Sequence, residues 1–120
     1  MFRVIYFVPD PVKAADFYQK AFKVKRLKPP QAQDYPESEW IQTQSGDVEI
    51  AFHKAFGSTN SRKSSEDSPF KLVFKAKNIV KKRDELRKMG VKMSEIIDCD
   101  GTRICDGWDC FGVRFQIADR

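Results

Sequence analysis

The chain repeats itself, and that repeat limits what it can fold into more than any other feature. Phe2-Arg3-Val4-Ile5-Tyr6 lies position for position on Phe70-Lys71-Leu72-Val73-Phe74. The same offset carries Asp10 onto Asn78, Val12 onto Val80, Lys13 onto Lys81 and Asp16 onto Asp84 without a gap. Each copy reads as an apolar, aromatic-rich strand, then an Asp or Asn of helix-capping type, then a charged helix. The ends of the halves also correspond, Glu49-Ile50-Ala51 matching Gln116-Ile117-Ala118 at an offset one residue shorter. A supersecondary unit used twice is therefore the frame of the fold.

Along the first copy, residues 2–8 alternate two faces, Phe2, Val4, Tyr6 and Val8 against Arg3, Ile5 and Phe7. A strand apolar on nearly both faces is expected between two layers, with Arg3 as the exception. Asp10 is the expected N-cap, with Pro11 at the first helical position, where a missing N–H costs nothing. The helix of residues 11–22 recurs apolar at Ala14, Phe17, Tyr18 and Ala21, one helical face. Strands follow at 24–27, 38–44 and 47–53, the last two joined by a turn at Ser45-Gly46-Asp47 and the first ended by Pro29-Pro30. In the strand of residues 47–53, Val48, Ile50 and Phe52 face one way, and Asp47, Glu49, Ala51 and His53 the other.

A Ser-rich linker at 57–69 divides a module of residues 1–56 from one of residues 70–120, together a single domain. In the second copy a strand at 70–77 puts Lys71, Val73 and Lys75 on the face that held Arg3, Ile5 and Phe7. A helix at 79–89 is capped by Asn78 and stopped by Gly90. Strands at 91–97, 101–105 and 113–118 complete the copy, with a turn at 107–112.

Net charge +5 raises the question of a nucleic-acid partner, but 17 acidic residues interrupt the 22 basic ones and no basic stripe with interleaved aromatics occurs. None is expected. No apolar run is long enough to span a membrane, and Asp10-Pro11 cuts the N-terminal hydrophobic stretch too short for a secretory signal, so the expectation is a cytoplasmic protein with no membrane partner. Cys99, Cys105 and Cys110 are odd in number and not spaced as zinc or redox pairs, which suits free, half-buried thiols on strands. Asp98, Asp100, Asp106 and Asp109 among them leave a metal cluster as the alternative.

Two βαβββ modules joined by a linker resemble the vicinal oxygen chelate superfamily, which includes glyoxalase I, bleomycin-resistance proteins and extradiol dioxygenases. The resemblance covers the whole chain. It rests on Val8-Pro9-Asp10 followed by Phe17-Tyr18 and Phe22, on Gly46-Asp47-Val48-Glu49-Ile50, on residues 78–90, and on Asp109-Cys110-Phe111-Gly112-Val113. It implies an α+β fold, an open eight-stranded cup with two helices outside, holding a small-molecule ligand, and a homodimer.

Enzymes of the family place metal ligands, usually His, Glu, His and Glu, on the first and last strands of each module. Carried over, those positions fall on Arg3, Glu49, Lys71 and Gln116. Arg and Lys repel a divalent cation, so neither metal nor other cofactor is expected. Strand parity puts all four on one lining with Ile5, Phe7, Ala51, His53, Val73, Lys75 and Arg114.

Arg3, Lys71 and Glu49 are candidates for a charge cluster in place of the metal. Alternatively, Arg3, Lys71, Lys75 and Arg114 outnumber Glu49 and face an anionic ligand. Glu49 and His53 are the candidate catalytic groups, with salt-bridge partner and polar rim residue as their plainer roles. Trp40, Trp108 and Tyr6 are either walls for an aromatic ligand or packing residues. The first reading is a metal-independent binder of a small organic ligand, anionic or aromatic. The alternatives are a metal-dependent glyoxalase- or dioxygenase-like enzyme and a non-catalytic interaction domain with a self-filled cup.

Overall fold

The computed structural model describes residues 2–27, 36–55 and 70–120. Pro29-Pro30 and the 57–69 linker fall outside them. The chain divides into two compact units, Met1–Arg62 and Lys63–Arg120.

The first unit runs β1 (Phe2–Val8), α1 (Pro11–Phe22), β2 (Lys25–Leu27), β3 (Trp40–Ser45) and β4 (Val48–Lys54). Its sheet has the order β1-β4-β3-β2, with β1 parallel to β4 and the other pairs antiparallel. The crossover from β1 to β4 is what the helix makes possible, since parallel neighbours cannot be joined by a tight turn. Asp10 Oδ1 accepts the Lys13 N–H at 3.2 Å, the N-cap the sequence implies. The helix ends at Lys23, whose φ of 56° is left-handed without a glycine. Ala14, Ala15, Tyr18 and Ala21 are buried beneath it, and Tyr18 stacks on Phe52 at 5.4 Å between centroids. Val8, Ile41, Ile50 and Phe52 form the sheet side of this core.

The second unit runs β5 (Val73–Lys75), α2 (Ile79–Lys88), β6 (Ile97–Cys99), β7 (Thr102–Trp108) and β8 (Arg114–Ala118), in the sheet order β5-β8-β7-β6, again with one parallel pair, β5 with β8. Asn78 Oδ1 accepts the Lys81 N–H at 3.1 Å, repeating the first cap. Ile79 and Leu86 from α2 are buried, as are Phe74, Cys105, Phe115 and Ile117 on the sheet. The architecture is thus α+β, two βαβββ modules with two four-stranded mixed sheets and two helices.

Three expectations change. The strand at 70–77 is confined to Val73–Lys75. The strand at 91–97 is a single bridge, Met93 with Gly107, and the paired segment lies later, at Ile97–Cys99. Asp100-Gly101, with φ of 52° and 81°, is the two-residue turn that joins β6 to β7 and sets this register. Gly107 belongs to β7 instead of the last turn. A Cβ there would lie 2.5 Å from the Phe115 ring and 2.6 Å from the Met93 sulfur, so only glycine lets Phe115 and Met93 close over the strand.

Candidate functional site

In the first unit, the side of the sheet away from α1 is laid out in rows by the strand register. Arg3, Glu49 and Gln44 are direct neighbours, then Ile5, Ala51 and Gln42, then Phe7, His53 and Trp40. Arg3 Nε donates to Glu49 Oε1 at 2.9 Å, and Gln42 Nε2 donates to the same oxygen at 2.6 Å. Gln42 is 5% exposed and was missed as a site residue, because its period-two partners Trp40 and Gln44 gave no reason to single it out. Ala51 is buried as a small floor between Ile5 and Gln42, while Ile5 and Phe7 stay 47% and 57% exposed.

Phe7 and Trp40 flank His53, at 5.1 and 5.6 Å between ring centroids. His53 Nδ1 lies 2.7 Å from the Lys54 carbonyl oxygen, which can only accept. The Nδ1 therefore carries a proton, and the neutral ring is basic at Nε2. Because Ala51 stands between them on this face, the rise of an extended strand separates Glu49 from His53 by roughly 13 Å. They do not form a proton-transfer pair. Tyr6, expected as a possible ligand wall, is on the opposite side of the sheet against Tyr18 and Phe52.

The second unit repeats this plan with the carboxylate and the amide exchanged between strands. Asp106 on β7 takes the anionic role, and Gln116 on β8 donates from Nε2 to its Oδ1 at 3.0 Å. Lys71 Nζ reaches the same oxygen at 3.2 Å, and Arg114 Nη1 the other at 3.4 Å. Lys71 thus has a counter-ion within its own unit, as Arg3 has in Glu49. Asp106 stands in the sequence only as a candidate for a metal cluster with its neighbouring carboxylates, because ending the strand at Cys105 left it without a face. Val73, not Lys71, is the ladder partner of Gln116, so the repeat positions in this pair are displaced along the strands relative to Arg3 and Glu49. Lys75 and Val73 are exposed, Ala118 is buried, and Lys92 and Arg114 sit over the Trp108 ring at 4.8 and 5.6 Å.

The donor set does not fit a divalent metal. Of the four positions that the resemblance implies, Arg3 and Lys71 are cations, Gln116 is an amide that donates to Asp106, and the Glu49 oxygen Oε1 already accepts two N–H donors. Among the described residues no group of three or more His, Cys, Asp and Glu could hold an ion. The cysteines are free. Cys99 is exposed and Cys105 is buried, and burial pushes the Cys105 thiol above its ordinary value against the lowering pull of Ser94 and Arg83. Cys110 is intermediate and lies in the turn before β8, not on a strand.

No protein-family profile and no curated protein sequence matches the chain. Its fold does recur among solved structures. SMU.1112c is 20% identical with a TM-score of 0.74, covering 98% of this chain and 96% of its own. FosX from Listeria monocytogenes, a fosfomycin resistance protein, is 11% identical with a TM-score of 0.74 over 99% and 88% of the two chains. Lactoylglutathione lyase from Agrobacterium tumefaciens is 11% identical with a TM-score of 0.68 over 98% and 91%. A variant of the Listeria FosX was solved with Mn(II) and a dihydroxypropylphosphonic acid.

Proposed function

We infer from the vicinal oxygen chelate fold of this chain, and from the ion pairs that stand in its metal positions, a metal-independent protein that binds a small organic ligand. The observation that carries the reading is chemical. Where a catalytic relative needs lone pairs, this chain offers N–H donors already matched to its own carboxylates. The lining of the first unit is what remains to bind with: half-exposed Ile5 and Phe7 and the ring row of Phe7, His53 and Trp40, with polar groups beside them. Apolar surface with a few placed polar groups suits a small ligand bearing a ring or an anion.

The two modules are read as one domain working in the cytoplasm as a homodimer, a second copy covering exposed apolar residues such as Phe2. Light scattering on the purified protein tests that assembly. For the metal, the protein purified without chelator is expected to hold no stoichiometric manganese, nickel, zinc or iron by elemental analysis, and to melt at the same temperature with any of them added. A metal at one equivalent that raises the melting temperature would overturn the reading. A positive result is a melting shift with a small aromatic or anionic compound in the same assay.

A further inference from the structure

The net charge of the chain is gathered in one place. Residues 77–92, which run through α2, hold seven of the 22 basic residues and two of the 17 acidic ones, so the rest of the chain, with fifteen of each, is neutral. The outward face of α2 is centred on Asp84, with Val80, Lys81, Arg87 and Lys88 three or four residues away and Lys77 just ahead of the cap. All six are exposed, and among the described residues none of these four cations forms an ion pair. The fold does not require this charge. The helix α1 plays the same part in the first unit, yet the repeat puts Pro9 where Lys77 stands and Gln19 where Arg87 stands, and its Asp16 is paired with Arg26 at 3.2 Å. Nor does the helix dipole require it at the front, since the first turn of α2 carries Lys81 and no acidic residue, the reverse of what the dipole favours. Like charges crowded without partners raise the energy of the unbound protein, and an anionic partner lowers it.

We propose that the outward face of α2 is a docking surface for an acidic segment of a partner protein. Lys77, Lys81, Arg87 and Lys88 meet its carboxylates, and Asp84 meets a basic residue set among them. The mixed sign of the face selects this occupant. A nucleic-acid backbone or an anionic lipid surface is negative throughout and would meet Asp84 at the centre. The face also has no aromatic ring to stack on a base, and its one exposed large apolar residue, Val80, is too little to enter lipid. The same face on a second copy would repel it.

The full chain is titrated, with its backbone amides followed by NMR, with a synthetic helical peptide of about sixteen residues that carries Glu pairs on either side of one central Lys. Its sister peptide has Glu in place of that Lys. The first peptide is expected to move the amides of residues 77–92 and to bind roughly threefold more tightly than the second. Reversing two charges together, Lys81→Glu with Arg87→Glu, weakens it by about tenfold, and both positions are exposed, so the fold is kept. Asp84→Asn removes the preference between the two peptides. Unmoved amides at 77–92, or binding unchanged in the charge-reversed variant, overturns the docking surface. Tighter binding of a short DNA duplex, or of vesicles containing phosphatidylserine, at the same salt concentration overturns the protein occupant, and a preference that survives Asp84→Asn overturns the role of Asp84.

Discussion

Glu49 accepts two donors on a single oxygen, and the two differ in what they lose if it goes. Arg3 is half exposed and returns to water at little cost, whereas Gln42 is buried and its amide would be left without that acceptor. Glu49→Ala should therefore lower stability by about 1–3 kcal/mol in chemical denaturation, and Arg3→Ala by under about 1 kcal/mol. Equal costs would show that the ion pair, not the buried amide, dominates. Asp119 offers a pH test. Its carboxylate accepts the Arg103 backbone N–H at 2.9 Å and the Arg103 side chain at 3.1 Å, and these bonds, the backbone one foremost, hold it below its ordinary value of 3.8. A depressed folded value adds stability that is fully present above 3.8 and is lost as the pH falls below it. The melting temperature of Asp119→Asn should thus fall less than that of the parent between neutral pH and the acid range below 3.8.

Among the elements, β7 shows how a strand can be fixed by what it lacks. At Gly107, Phe115 and Met93 approach the backbone too closely for a methyl group. Gly107→Ala should cost about 1–3 kcal/mol, because Phe115 is fully buried and cannot move aside. A melting temperature equal to the parent's would mean that the Met93 side chain absorbs the change. The elements also show which local signals can be read. Both helix starts were legible, since Asp10 and Asn78 cap through contacts three residues away, and a sequence shows such neighbours directly. The β6 start was not, although Asp100-Gly101 is a strong two-residue turn signal. Its flanks, Ile97-Asp98-Cys99 and Thr102-Arg103-Ile104, alternate too weakly to be picked out beside the apolar run before them.

At the scale of the molecule, the three thiols give a readout of both burial and register. Mass spectrometry of the native chain after iodoacetamide should show Cys99 alkylated first, Cys110 later, and Cys105 only on unfolding, since its thiol is buried and raised. Early modification of Cys105 would show that the β7 packing opens. The sequence by itself determined the duplication, the helix caps and the face on which Arg3, Ile5, Phe7, Glu49 and His53 lie. These follow from periodicity and from contacts between near neighbours, which are properties of the chain alone. Tertiary structure alone decided that Gln42 serves Glu49, that Asp106 takes Lys71, Arg114 and Gln116, and that Tyr6 turns to the helix. Such pairings depend on how far one strand slides along another, and a shift of register keeps every local pattern while changing which side chains meet.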